Sequence, residues 1–160
     1  MHLKNIHPLV ILGFCLFCVS AQSAQLAVGD AVPVISANDQ HGGKFVFTNG
    51  IQFLLAVTEM APAKSANRAL AAEGSSFLET NHAAFLMDIH SMPGIARYFA
   101  FPKLRKYPQR IVLVDSPEAL ARFPTQPARV TVLALTLDGH IKKISYWNPD
   151  SAPANGCFRW

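Results

Sequence analysis

Residues 51–73 read IQFLLAVTEMAPAKSANRALAAE, and the fold turns on how that stretch divides. Ile51 to Val57 is an apolar run of strand length. Runs without polar alternation suit a strand buried on both faces, as in a parallel sheet. Pro62 to Glu73 is alanine-rich, opens on proline and is followed by Gly74. Proline in the first turn and glycine just past the last mark a helix. A buried strand that runs into a helix is the first half of a β-α-β unit.

The neighbouring segments repeat the pattern. AAFLMDI, residues 83–89, is a second buried strand, and PGIARYFAF, residues 93–101, a second short helix opened by proline. IVLVD, residues 111–115, is a third strand. Val130–Leu137 and His140–Trp147 flank Asp138-Gly139, a strong hairpin signal between β-rich runs. Upstream, VISAND (34–39) and KFVFT (44–48) read as short extended pieces around a Gly-Gly turn. The order is βαβα followed by strands, which predicts one α/β domain: a central mixed sheet with flanking helices. The order of the last three strands stays open. The domain is expected over residues 22–148, with residues 149–160 an irregular, loose tail.

The chain begins MHLKNIHPLVILGFCLFCVSAQSAQ. One lysine, Lys4, precedes an uncharged apolar run from Leu9 to Val19, and small residues follow. This is the pattern of a secretory signal peptide. The apolar run falls well short of the roughly 20 residues that cross a bilayer. Residues 1–21 are therefore expected to be cleaved after Ala21, with Ala24 an alternative. Cys15 and Cys18 would leave with them, although their Cys-x-x-Cys spacing is that of a redox pair. The expected location is periplasmic or secreted, with no membrane span after cleavage.

Removing 21 of 160 residues leaves 139, and because Lys4 is the only charge lost the net charge falls from +4 to +3. That length suits one domain with a proper core. The mild charge argues against a nucleic-acid partner. One cysteine, Cys157, remains of three, so no internal disulfide can form. It would be free or pair between chains as a disulfide dimer.

Val28 to Thr48, VGDAVPVISANDQHGGKFVFT, resembles the N-terminal opening of thioredoxin-like proteins of the peroxiredoxin and thiol-oxidoreductase kind. Gly29-Asp30, Pro33, the turn Asp39 to Gly42 and the strand Phe45 to Phe47 carry the likeness. IQFLLAV takes the place of the first core strand and AAFLMDI of the second. Tyr107-Pro108 resembles the Val-Pro before the third strand of that family, where the proline is usually cis. More closely, the chain is similar to a small exported bacterial group within this superfamily. That group shares the Asp-Gln-His-Gly turn and a Met-Pro, then Pro-x-x-Arg-x-x-Pro run, here Met92-Pro93 and Pro102 to Pro108.

In the thioredoxin fold the redox pair sits where the first core strand runs into the first helix. There this chain has Met60-Ala61-Pro62-Ala63, with Lys64 next, and no thiol. A helix N-terminus stabilises a thiolate, but methionine and alanine cannot attack a disulfide. The resemblance, minus its cysteines, implies a non-catalytic binding or accessory module. Met60, Pro62, Ala63, Lys64, Tyr107 and Pro108 would form its binding face, and the occupant would be a protein, a peptide or a small anionic ligand. The alternative is an oxidoreductase of the same group, flavin-dependent or based on Cys157. Some relatives carry a flavin-dehydrogenase label, but no Gly-rich nucleotide fingerprint is present and no cofactor is expected.

The stretch 102–110, PKLRKYPQR, adds a second candidate. Lys103, Arg105, Lys106 and Arg110 could meet an anion or an acidic partner, the arginines by forked hydrogen bonds. Asp88 and His90 lie two apart at a strand end and could share a metal or a proton, or simply cap the following segment. No metal motif accompanies them, and no metal is expected.

Overall fold

The structure, a computed structural model, describes residues 24–159. The expected signal peptide and its Cys15–Cys18 pair lie outside the described residues. Within them the strands are β1 (Ser36–Asp39), β2 (Lys44–Val46), β3 (Phe53–Val57), β4 (Ala83–Asp88), β5 (Val112–Val114), β6 (Val130–Leu135) and β7 (Ile141–Trp147). The helices are α1 (Met60–Glu73), α2 (Phe77–Thr80) and α3 (Gly94–Leu104), and a 3-10 helix spans Ala154–Phe158.

All seven strands form one mixed sheet, in the order β2-β1-β5-β4-β3-β6-β7. The run that decides the fold becomes β3, at the centre. It pairs parallel with β4, Leu55 opposite Phe85, and antiparallel with β6, Leu55 opposite Val132. Its alternate residues part to the two faces. Leu55 and Val57 join one core cluster, Leu54 and Ala56 the other. β4 divides likewise, Phe85 and Met87 from Ala84 and Leu86. A strand buried on both sides has no polar face to show, which is why its sequence does not alternate.

β3, β4 and β5 step across the sheet in one direction, so right-handed crossovers put α1 and α3 on the same face. The first cluster bears this out: Ala63, Ala66 and Leu70 of α1, Leu78 of α2 and Leu104 of α3 all pack there. The second face is covered without helices, by Leu26, Val32 and Ile35 before β1 and by Leu120 and Phe123 in the turns after β5.

Several details depart from the sequence reading. α1 begins at Met60, two residues ahead of Pro62, and the short α2 was not anticipated. α3 runs through Pro102 to Leu104 rather than stopping at Phe101. A proline in the last turn removes one backbone bond, and the buried Leu104 anchors that turn in the core. Pro108 is trans, since no described peptide bond is cis. The tail is neither irregular nor loose. Trp147 Nε1 donates to Ala152 O at 2.8 Å, and Ala154 and Cys157 are buried in the first cluster. The Phe158 ring packs on Phe53 and Phe77 with centroids 5.0 and 5.4 Å away.

Phe158→Ala is expected to lower the unfolding free energy in urea by about 2 kcal/mol, from lost apolar burial and lost ring contacts. A change below about 0.5 kcal/mol, the range of an inert surface substitution, would show that the tail is not docked.

Candidate functional site

β3 ends at Val57 and α1 begins three residues later, so the first turn of α1 stands at the carboxyl edge of the parallel strands. In open α/β sheets that edge is where ligands bind. Glu59 holds the N-cap position, where a carboxylate favours the helix N-terminus. It makes no side-chain cap bond. Its Oε2 instead accepts from Ala128 N at 3.4 Å, tying α1 to the loop before β6. Ala128 itself has φ +57°, a backbone region non-glycine residues seldom adopt. At the far end Gly74, φ +100°, terminates the helix.

A groove of about 580 Å³ opens between α1 and α3. Met60, Ala61, Lys64 and Asn67 line it from α1, and Ala96, Phe99, Ala100 and Lys103 from α3. Met87 and Leu104, both buried, contribute from the core side, and Tyr107 completes the lining. Met60 is 49% exposed and Phe99 62%. The lining is mainly apolar with a few polar groups, the usual make-up of a ligand pocket.

Of the expected binding face, Met60, Lys64 and Tyr107 come together here, while Pro62 and Ala63 point inward and are buried. Pro108 lies exposed and outside the lining.

The four basic candidates scatter. Lys103 joins the groove and Lys106 is exposed. Arg105 Nε donates to Gln40 O at 3.2 Å. Arg110 donates from Nε to Asp39 Oδ2 at 3.0 Å and from Nη2 to Lys44 O at 2.8 Å, and it lies over the Phe45 ring. Both arginines thus hold the β1–β2 hairpin, Arg110 through Nε and Nη2 and Arg105 through Nε.

The hairpin turn depends on that carboxylate. Asp39 Oδ1 also accepts from His41 N at 3.0 Å and Gly43 N at 2.8 Å. Partial burial works against its charge, but these backbone bonds and Arg110 hold its carboxyl below the usual range. A Cβ on Gly43 would stand 2.6 Å from Asp39 Oδ2, which is why the turn needs glycine there.

Asp88 and His90 settle as local structure. Asp88 Oδ1 accepts from His90 N at 2.8 Å. Beside them Arg97 grips Asp115 with two bonds, of 2.6 and 2.7 Å, and donates to the carbonyls of Ile89, His90 and Met92. Among the described residues no three metal-ligating side chains gather.

Behind the groove lies a chain of buried amides that the sequence did not single out. Asn67 Nδ2 donates to Ala63 O at 3.0 Å. Gln109 Nε2 donates to both Asn67 O and Asn67 Oδ1, each at 3.1 Å. Gln40 Nε2 donates to Gln109 O at 2.7 Å, and Gln40 Oε1 accepts from Ile111 N at 2.8 Å. Gln109 Oε1 has no protein partner. Three amides far apart in sequence give no local signal; only burial in the folded state reveals them.

No family and no curated protein matches this chain. Solved structures do. A thiol:disulfide interchange protein DsbE from Chlorobium tepidum superposes with TM-score 0.56 at 10% identity, over 79% of this chain and 90% of that one. Peroxidoxin BcpB from Mycobacterium tuberculosis gives 0.54 at 12%, over 84% and 95%. A peroxiredoxin-like protein from Aquifex aeolicus gives 0.53 at 9%, over 78% of each chain.

The chain has a thioredoxin-like fold. At such identities the likeness speaks for architecture alone. Among the described residues Cys157 is the one cysteine, and it is not at the start of α1. It is buried, and burial pushes its thiol up to about 12. A thiol held protonated at neutral pH is a poor nucleophile. Among the described residues no helix is long and apolar enough to cross a membrane.

The sign of the Cys157 shift sets its pH dependence. The folded state keeps the proton that an unfolded thiol loses near pH 9, so stability from this group is complete below that pH and falls as pH rises toward 12. At pH 8 a disulfide reagent such as dithionitrobenzoate should label native Cys157 at least a hundredfold more slowly than the urea-unfolded chain. Equal rates would show the thiol to be exposed.

Proposed function

We propose that the chain is an exported, non-catalytic binding module of thioredoxin-like fold, and that the groove at the start of α1 is its site. One observation carries the reading. Where the resemblance puts a redox pair, the first turn of α1 instead supplies Met60, Ala61 and Lys64 to an open apolar groove. An exposed thioether and a methyl group offer dispersion and apolar burial, not electron transfer. The rigid sheet behind it, with the buried amide chain joining Asn67, Gln109 and Gln40, holds the α1 wall in place.

The oxidoreductase alternative draws on what the structural neighbours are named for, thiol–disulfide exchange and peroxide chemistry. The properties of Cys157 count against a thiol-based form of it. Export rests on the leader pattern of residues 1–21.

The test uses an uncharged reporter. Nile red should bind the protein and brighten. Ala100→Trp, which fills the groove with an indole, should weaken that binding at least tenfold while far-UV circular dichroism stays unchanged. Binding that survives Ala100→Trp, or no binding by the parent, would refute the groove as the site.

A further inference from the structure

We propose that the groove receives an acidic, apolar segment of a second protein, whose carboxylates pair with Lys64 and Lys103. This rests on the groove being a binding site and adds the chemistry of its partner.

The apolar surface does not stop at the groove. On α3, Ile95 is 74% and Tyr98 76% exposed, beside Phe99 at 62%. The Tyr98 and Phe99 rings meet edge to face, centroids 5.3 Å apart. With Met60 these make four of the eight large apolar side chains found exposed among the described residues. The other four, Val28, Val34, Val46 and Leu137, lie on other segments. A small ligand filling about 580 Å³ would leave Ile95 and Tyr98 in water. A polypeptide segment lying along α3 would cover them. Contiguous exposed apolar surface with aromatic residues is characteristic of protein interfaces.

Charge selects among segments. The groove lining holds Lys64 and Lys103 and no acidic residue. Neither lysine enters an ion pair among the described residues. Docking an apolar segment between them would strip water from two unpaired ammonium groups, which is costly unless the partner brings opposite charge. Aspartate or glutamate flanking the apolar residues supplies it. A second copy of this chain, docked face to face, would bring the same lysines and repel.

The experiment uses fluorescently labelled short peptides with one Leu-Phe core, flanked either by Asp and Glu or by Lys, and measures anisotropy on the full exported chain. The acidic peptide should bind at least tenfold more tightly than the basic one. In the double variant Lys64→Glu/Lys103→Glu that preference should invert, whereas Arg129→Glu/Lys142→Glu, the same change of net charge at exposed positions outside the groove lining, should leave it in place, with far-UV circular dichroism unchanged in both. Equal binding of both peptides, or an unchanged preference in the Lys64→Glu/Lys103→Glu variant, would overturn the proposal. So would displacement of Nile red by decanoate but not by the acidic peptide, which would assign the groove to small anionic amphiphiles. Nile red binding without either peptide binding sinks this proposal and leaves the groove reading standing. Absence of Nile red binding as well sinks both.

Discussion

The double-sided burial of β3 is the constraint on which the rest of the molecule hangs. A strand with apolar side chains on both faces must lie inside a sheet and under two layers. Once it does, its carboxyl end delivers α1 to the sheet edge, and the crossover into β4 fixes which face α1 covers. The next crossover, β4 through α3 to β5, obeys the same handedness and sets α3 beside α1. The groove is therefore a consequence of chain direction. Two helices that follow consecutive parallel strands share a face, and where Ala61, Ala96 and Ala100 keep their side chains short a cleft remains between them.

The second layer of constraint is polar. Asn67, Gln109 and Gln40 are buried amides that link α1, the segment before β5 and the turn of the first hairpin. A buried amide is costly unless bonded, so each of the three segments must stay where its partner needs it. The arginines work outward of this chain. Arg105 and Arg110 clamp the hairpin to the segment that follows α3. This division of labour leaves Lys103 as the cation of that stretch that lines the groove, opposite Lys64 of α1.

Much of the fold was legible because its signals are local. The apolar runs of β3, β4 and β5, proline in the first turn of α1 and just before α3, and Asp138-Gly139 between β6 and β7 each mark an element within a few residues. What was not legible depends on meetings across the chain. The four-residue α2 is too short to show a period. The tail's Pro, Asn and Gly read as loop, and only the fold brings Phe158 against Phe53 and Phe77. The candidate site was half visible. Met60 and Lys64 followed from the junction of strand and helix, and Tyr107 from the likeness of Tyr107-Pro108 to the Val-Pro of the resembled family. Phe99 and Asn67 did not, because an apolar residue on a helix is ordinarily core, and an asparagine in mid-helix carries no signature of a cleft. The basic stretch marked an anion or acidic-partner candidate by charge density alone, which carries no direction: the fold turns Lys103 to the groove and Arg110 to the hairpin.

The central claim is that the cleft between α1 and α3 is where this protein meets its partner. The most direct measurement is a map of backbone amide chemical shifts while the acidic Leu-Phe peptide is titrated in. Shifts confined to residues 60–67 and 96–107 are the predicted result. Shifts centred on the β1–β2 hairpin or on the open edge of β7, with the cleft unmoved, would contradict it.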